Sequence, residues 1–255
     1  MPEYFVWAYA ALLGAAVGSF LNVCIYRLPE GLSVVSPRSR CPVCEQEIQW
    51  RDNVPVLGWL LLRGRCRGCG TRISPQYPLV ELTTALLWLA AAMRHGASWQ
   101  ALSTALFFTL LLGIAMTDAR AYTIPDEFSL GGLAAGLLLS LAPGGITPLQ
   151  SALGAALGYG LLWAVAVGGE WIFKKEAMGG GDIKMMAMVG AFLGPAGVPL
   201  TLFLGALLGT LVFLPISMKT DKLVPFGIFL ALGAAVTEPW GDLMVDWYLR
   251  TFLGG

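Results

Sequence analysis

The sequence predicts an all-α polytopic membrane protein with about eight transmembrane helices, both termini outside, and a small cysteine-rich cytoplasmic domain between helices 1 and 2. Of its 255 residues, 56% are hydrophobic and 13% are charged, whereas soluble domains are about 25% charged. The mean hydropathy is +0.70. Long apolar runs alternate with short linkers rich in turn residues, so membrane lipid is the expected surrounding. The net charge is zero, and no nucleic-acid partner is expected.

Eight apolar runs follow one another along the chain. The first covers residues 4–26, and no Lys or Arg precedes it. We therefore expect a retained span with an outside N-terminus, because a signal peptide carries its positive charge first. The other runs cover residues 79–93, 100–117, 128–142, 149–173, 184–195, 199–217 and 224–237. The run at 184–195 is short for a crossing of about 20 residues, so it could also be a re-entrant or partly extended piece.

The positive charges give the spans their orientation. With the N-terminus outside, the inside segments hold 14 of the 16 Lys and Arg residues, as the positive-inside rule requires. These inside segments are residues 27–78, 118–127, 174–184 and 218–223. Asp118 ends the third span and Asp182 begins the sixth, so both carboxylates are predicted at the cytoplasmic membrane surface.

The only sizeable segment outside the membrane covers residues 27–78, and it divides the chain into ranges 1–26, 27–78 and 79–255. It contains two Cys-x-x-Cys pairs, formed by Cys41, Cys44, Cys66 and Cys69. Four thiolates at this spacing predict a structural Zn²⁺ site, because a closed Cys₄ set leaves no open coordination position. The alternative is a redox pair or unligated thiols. Cys24 lies in the first span and is predicted to be an apolar packing residue.

Asp118 and Asp182 are candidates for a catalytic pair. Three glycines, Gly179, Gly180 and Gly181, precede Asp182; they would let a substrate backbone approach closely. Two neighbouring carboxylates share one proton, so the ionised one can activate water and the protonated one can polarise a peptide carbonyl. This is aspartic proteolysis. The alternative is that each aspartate only caps a helix or sits in interfacial water.

Other catalytic arrangements lack their residues. The single histidine, His95, falls in a predicted outside loop, so a Ser-His-Asp or Cys-His site on the inside has no base. Asp126 and Glu81 are among the other acids predicted near the membrane surface. Asp126 is predicted to be solvated or paired with a nearby Lys or Arg, as is Glu81, which lies just inside the second span and is also a candidate substrate-binding residue.

Several motifs together resemble those of bacterial type IV prepilin peptidases. They are Gly18–Pro29 (GSFLNVCIYRLP), the four cysteines, Ser74–Glu81 (SPQYPLVE), Asp118 with Ile124-Pro125-Asp126, Gly179–Lys184 (GGGDIK) and Pro225-Phe226-Gly227. The set covers nearly the whole chain in order. One departure is Ile228, where the family often has a second proline, and we expect a minor local effect.

The resemblance implies an intramembrane aspartic protease of the Gly-x-Gly-Asp type, with Asp118 and Asp182 as the catalytic pair and zinc on the cysteines. It implies prepilin or pseudopilin substrates, whose short basic leader is removed at the cytoplasmic face of the bacterial inner membrane. It also implies methylation of the new N-terminus with S-adenosylmethionine. No nucleotide-binding glycine fingerprint appears, so we expect the methyltransferase site in or near residues 27–78, with Glu81 and the cysteine pairs shaping it.

Two other functions remain open on the residues alone. A proton-coupled transporter also contains buried acids and broken helices, but its carboxylates would lie near the middle of the membrane. A non-catalytic membrane scaffold with a zinc ribbon would leave the Gly179–Asp182 stretch unexplained.

Overall fold

The computed structural model describes residues 2–174, 178–217, 225–252 and 254, and in this part of the chain the regular structure is helical. Its helices are α1 (Glu3–Arg27), α2 (Leu57–Leu61), α3 (Gln76–His95), α4 (Trp99–Ala121), α5 (Asp126–Leu139), α6 (Pro148–Phe173), α7 (Gly180–Ser217) and α8 (Phe226–Phe252). Two 3₁₀ turns, Leu28–Glu30 and Trp50–Asp52, and two isolated β-bridges complete the described structure. The predicted all-α fold is confirmed.

Five of the described helices, α1, α4, α6, α7 and α8, are long and apolar enough to cross a membrane. Helix α5 has only 14 residues, which corresponds to about 21 Å and is shorter than a hydrocarbon core of about 30 Å. The chain is therefore a multi-pass membrane protein, and the count of eight crossings and the side of each terminus stay predictions. Of the predicted inside segments, residues 175–177 and 218–223 lie outside the described residues.

The predicted apolar runs 184–195 and 199–217 correspond to two helical pieces that meet at a kink within α7. Only Gly194 leaves the helical region inside it, with φ 72° and ψ −176°. This left-handed φ is accessible to glycine at little cost. Pro195 then occupies the first position of the following helical piece, where its missing N–H costs nothing. The break between the two pieces therefore lies at Gly194.

Helix α8 also differs from its predicted run, which ended at residue 237. It continues to Phe252 and contains Pro239. The acidic residues Glu238, Asp242 and Asp246 end the apolar run without ending the helix, since helix formation needs a regular backbone and not an apolar side chain at every position.

The chain divides into two compact units, residues 1–109 and 110–255. In the first unit, α1 lies along α3, and two glycines of α1, four residues apart, face it. A Cβ at Gly14 would lie 2.7 Å from the Trp88 Cβ, and one at Gly18 would lie 2.8 Å from the Glu81 Cα. The spacing of small residues lets the two backbones approach, as is common for helices in membranes.

In the second unit, α7 packs against α5, α6 and α8. Helix α6 meets it through Gly154 and Gly158, which leave no room for a Cβ beside the carbonyl oxygens of Gly190 and Met186, respectively. The Ser151 hydroxyl donates a hydrogen bond of 2.7 Å to the Ala191 carbonyl oxygen across the same interface. The first half of α7 is consequently buried.

The methionines of this buried half, Met185, Met186 and Met188, have no solvent exposure. They fill the space between the surrounding helices. Unbranched thioether side chains suit this role because they adapt to irregular gaps.

We predict that Gly154→Ala destabilises the protein by about 1–3 kcal/mol, because the added methyl group would press on the Gly190 carbonyl oxygen and force α6 away from α7. Thermal unfolding in detergent, followed by circular dichroism, measures the change. Gly160→Ala on the same helix is the matched control, since a Cβ there has no neighbour within 4 Å. Equal melting temperatures for the two variants would contradict this interpretation of the interface.

Candidate functional site

Asp118 lies on the last turn of α4 and is buried, with 6% of its surface exposed. Its Oδ2 accepts a hydrogen bond of 3.1 Å from the backbone N–H of Ile228, and the Gly227 N–H also faces the carboxylate. Both amides belong to the first turn of α8, whose N–H groups have no partner within the helix. The positive end of the α8 dipole therefore stabilises an anion at Asp118.

Gly227 makes room for this carboxylate. A Cβ at Gly227 would lie 2.9 Å from the Asp118 Oδ2, so any larger residue would displace it. Ile228 contributes through its backbone, and proline at this position would lack the donor. The departure from the family pattern at Ile228 thus adds a hydrogen bond to the site, and the expected minor effect stays a prediction.

Asp182 occupies the first turn of α7, as the sequence predicted. Its backbone N–H donates to the Gly179 carbonyl oxygen at 3.2 Å, and its Oδ2 lies 3.5 Å from the position of a Cβ at Gly179. Gly179 and Gly180 are exposed, and a Cβ at Gly180 would have no neighbour within 4 Å. The backbone beside Asp182 is therefore open to an approaching chain.

One apolar side chain, Ile124, brings the two helix ends together. It is 9% exposed and belongs to the short link between α4 and α5. A Cβ at Gly181 would lie 3.0 Å from the Ile124 Cβ, and one at Gly227 would lie 2.9 Å from the Ile124 Cδ1. Ile124 thus contacts the first turns of both α7 and α8. Asp118 and Asp182 are close enough to interact electrostatically.

An ion pair joins the same helix ends on their exposed side. The Lys184 Nζ lies 2.7 Å and 2.9 Å from the two carboxylate oxygens of Asp126. Asp126 was predicted to be solvated or paired with a nearby Lys or Arg, and the structure shows it paired. Because both side chains are more than a third exposed, the pair contributes little stability, but it ties the start of α5 to the start of α7.

Sequence reasoning selected the two carboxylates and the glycines but missed Ile124, Ile228 and Lys184 as parts of the site. The motif Ile124-Pro125-Asp126 was a signal for the first, although it gave no role. The Ile228 contact is made by a backbone N–H, which every residue except proline possesses, so the residue type carries no signal.

The four predicted cysteines meet in the first unit. All four Sγ atoms lie within 4.8 Å of one another, with 3.8 Å between Cys41 and Cys69 and 3.9 Å between Cys44 and Cys66. Sulfur atoms each about 2.3 Å from a tetrahedral zinc ion would be about 3.8 Å apart, so the cysteines fit a metal ion of this kind. Cys24 is buried in α1 and is not part of the cluster.

The two Cys-x-x-Cys pairs have the same local structure. In each, the first cysteine N–H donates to the carbonyl oxygen five residues later, and the carbonyl oxygen of that cysteine accepts from the residue four positions later. That fourth residue has a positive φ, 56° at Glu45 and 71° at Gly70. An isolated β-bridge closes each turn, Arg40 with Glu47 and Arg65 with Arg72. Each Cys-x-x-Cys turn, called a knuckle below, supplies two sulfur atoms.

Local electrostatics favour a thiolate at one ligand. Backbone N–H groups of Cys44 and Val43 point to the Cys41 sulfur and lower the pKa of this thiol to about 6, so it is largely ionised at neutral pH. The second knuckle is fixed from outside by a bidentate ion pair, since Arg67 donates to both oxygens of Asp52 at 2.6 and 2.8 Å. The Arg67 guanidinium holds the pKa of the Asp52 carboxyl below its usual value.

Glu81 lies in the first unit, on α3, and is 8% exposed. Its Oε2 accepts a hydrogen bond of 2.7 Å from the backbone N–H of Val56. The structure therefore places Glu81 beside the segment that carries the cysteines, whereas the two aspartates and their glycines belong to the second unit.

Comparison with known proteins gives full-length matches. Residues 12–95 match the bacterial peptidase A24 N-terminal domain, and residues 105–214 match the type IV leader peptidase family. The chain is 37% identical to the prepilin leader peptidase/N-methyltransferase of Aeromonas hydrophila, over 97% of this chain and 96% of that protein. Proteins of the same name from Klebsiella pneumoniae (40% identity, 81% and 96% coverage) and Neisseria gonorrhoeae (34%, 94% and 93%) also match. No solved structure matches. The chain therefore belongs to the type IV leader peptidase family.

Proposed function

We propose that this protein removes the leader peptide from prepilins or pseudopilins with the Asp118–Asp182 pair and methylates the new N-terminal residue. Membership of the family supports an aspartic-type peptidase with methyltransferase activity. The assignment of the pair rests on one observation. Asp182 lies in the first turn of α7, Asp118 accepts a hydrogen bond from the first turn of α8, and both turns contact Ile124, although the two aspartates are 64 residues apart.

In the peptidase reaction, one carboxylate is ionised and the other holds a proton, because two negative charges in contact repel each other. The ionised aspartate takes a proton from water, and the resulting hydroxide attacks the scissile carbonyl carbon. The protonated aspartate donates a hydrogen bond to the carbonyl oxygen and then, through the pair, the leaving amine receives a proton. The pair titrates as a unit, so the two roles belong to both residues together.

The surrounding residues orient the Asp118 carboxylate and leave space for the substrate. Backbone N–H groups of α8 fix the orientation of the Asp118 carboxylate, which leaves its other oxygen for water or substrate. The exposed Gly179 and Gly180 offer a backbone without side chains beside Asp182, where an extended substrate segment can lie. We place the site at the cytoplasmic face of the bacterial inner membrane, because the charge distribution favours that side for both aspartates.

The four cysteines would hold a structural Zn²⁺ ion. The ion would supply folding energy to residues 39–73, because no large apolar core is available in a segment of this size. S-adenosylmethionine, when bound, would supply the methyl group for the amine that cleavage releases.

We expect Asp118→Asn and Asp182→Asn each to slow cleavage at least about a thousandfold. Either substitution leaves a single carboxyl group, which cannot serve as base and proton donor together. Cleavage is measured by mass spectrometry of a purified prepilin after incubation in detergent. Asp242→Asn, an exposed aspartate of α8, is the control and should cleave at the parental rate. Cleavage at the parental rate by either site variant would refute the assignment of the pair, and an uncut prepilin with the folded parent protein would favour the scaffold.

We expect Gly227→Ala to slow cleavage about a hundredfold, because the added methyl group would overlap the Asp118 carboxylate and Ile124 and misplace the reacting oxygen. The same prepilin assay measures the rate. Gly131→Ala on α5 is the control, as a Cβ there has no neighbour within 4 Å. Unchanged cleavage by Gly227→Ala would show that the Asp118 position in this structure is not the one used in the reaction.

We expect about one zinc ion per purified chain, and Cys66→Ser to lose most of it, because three thiolates form an incomplete tetrahedral set. Elemental mass spectrometry measures the metal, and limited proteolysis tests whether residues 39–73 become accessible. Cys24→Ala should keep the metal because Cys24 is not in the cluster. A metal-free parent protein purified without chelator would argue for unligated thiols instead.

A further inference from the structure

The first unit contains a cavity of about 490 Å³ between the cysteine-bearing segment and helices α1 and α3. Its volume lies in the range of small-molecule sites, about 300–1,000 Å³. Every lining residue falls between residues 19 and 81, so the cavity belongs to one unit and shares no residue with the aspartate site. Its wall includes Asn22, Tyr26, Trp59, Tyr77 and Glu81.

Asn22, one of the lining residues, carries an acceptor without a partner among the described residues. The side chain is 2% exposed, and its Nδ2 donates to the carbonyl oxygens of Gly18 at 3.3 Å and Tyr77 at 3.0 Å. Two carbonyl partners fix which amide atom is nitrogen. The Oδ1 is then buried and has no hydrogen-bond partner among the described residues. Such a group is costly unless a ligand or water completes it.

Glu81 adds a buried charge to the same wall. Its Oε2 accepts from the Val56 N–H, and the ion pairs of the described residues do not include it. Four arginines also line the cavity, Arg27, Arg40, Arg67 and Arg72, and the first three are engaged elsewhere, Arg40 with Glu47. Arg27 donates to the carbonyl oxygens of Ser33 and Pro37, at 2.9 and 2.8 Å, and Arg67 pairs with Asp52. A buried carboxylate without a cation requires positive charge from another source.

The backbone holds Glu81 in this orientation. Val56, a β-branched residue, has φ 61° and ψ −51°, and the Leu57 N–H donates to the Pro55 carbonyl oxygen at 2.6 Å. This is a strained three-residue turn. It directs the Val56 N–H to Glu81 Oε2, while the second carboxylate oxygen has no donor among the described residues.

We propose that this cavity is the methyl-transfer site, in which the free oxygens of Asn22 and Glu81 receive a positively charged group. The proposal rests on the proposed methyltransferase function. The cation has two possible sources, the sulfonium of the methyl donor or the α-ammonium of the cleaved substrate. Tyr26 and Tyr77, stacked with ring centres 5.4 Å apart, and Trp59 add aromatic faces, which also attract cations.

The two oxygens suit the chemistry of amine methylation. An amine must lose a proton before its lone pair can attack, and the Glu81 carboxylate can take that proton. The amine nitrogen then forms a bond to the methyl carbon as the bond from carbon to sulfur breaks. The electron pair of that bond stays on sulfur, which becomes a neutral thioether, and the second proton of the new ammonium ion is free to exchange with water.

The test measures ligand binding to the full chain in detergent, by equilibrium dialysis with radiolabelled S-adenosylmethionine, and in a second arm with a peptide that begins at the mature N-terminus. Glu81→Gln keeps an oxygen for the Val56 N–H and removes only the charge. Asn22→Ala removes the unpaired acceptor. Glu30→Gln is the matched control, because Glu30 does not line the cavity.

We expect Glu81→Gln and Asn22→Ala each to weaken binding about tenfold or more, since a charge-assisted hydrogen bond is lost. If the sulfonium is the bound cation, the variants bind S-adenosylmethionine more weakly than the parent does, and their affinity for its neutral thioether product changes less. If the α-ammonium is the bound cation, the variants bind the peptide more weakly than the parent does. Ultraviolet cross-linking of the labelled methyl donor should mark peptides from residues 19–81.

Parental affinity for both ligands in both variants, or a cross-link within residues 110–255, would overturn the proposal. Glu81→Gln also distinguishes a role of Glu81 in binding from a purely structural role, because the variant retains the hydrogen bond to Val56. The parent protein reports on the proposed function itself. A parent that neither binds the donor nor adds a methyl group to cleaved prepilin fails as a methyltransferase, whereas an active parent with unaffected variants refutes only this site.

Discussion

Close backbone contact at glycines is the interaction on which the second unit depends. Lipid tails are as apolar as leucine, so burial of apolar side chains gives helices in a bilayer little reason to associate, and contact between closely packed backbones must replace it. Gly154 and Gly158 of α6 bring this about at Gly190 and Met186 of α7. The first half of α7 is thereby enclosed, and the helix end that carries Asp182 has a fixed position.

In the candidate peptidase site, the hydrogen bond to the Asp118 carboxylate comes from the backbone of a helix end. Asp182 lies in the first turn of α7, and Asp118 receives N–H groups from the first turn of α8. An arginine beside either aspartate would keep that aspartate ionised, and the pair would lose the shared proton that its chemistry requires. A helix end stabilises negative charge more weakly and without a transferable proton. Ile124, which is buried, is in contact with both ends.

The cysteine-bearing segment, unlike the second unit, is not built from packed long helices. Between α1 and α3 the regular structure consists of two 3₁₀ turns and the five-residue helix α2. Its contacts include the two knuckles, the Arg67–Asp52 pair and the hydrogen bond from Val56 to Glu81. A metal ion at the four sulfur atoms would tie the two knuckles together. The cavity lies under this segment, so the same contacts that shape the segment also shape the cavity wall.

The sequence by itself determined the all-α membrane class, the cysteine quartet and both aspartates. Composition and spacing carry this information, since an apolar run, a Cys-x-x-Cys pair or a carboxylate beside glycines is defined by neighbours along the chain. The order of motifs also identified the family. Only the tertiary structure placed the break between the runs 184–195 and 199–217 at Gly194, and only it gave roles to Ile124, Ile228 and Lys184. It also left Asn22 with an unpaired oxygen. These features arise from contacts between residues far apart in sequence, and several use backbone atoms common to nearly all residues, so no pattern of residue types could have indicated them.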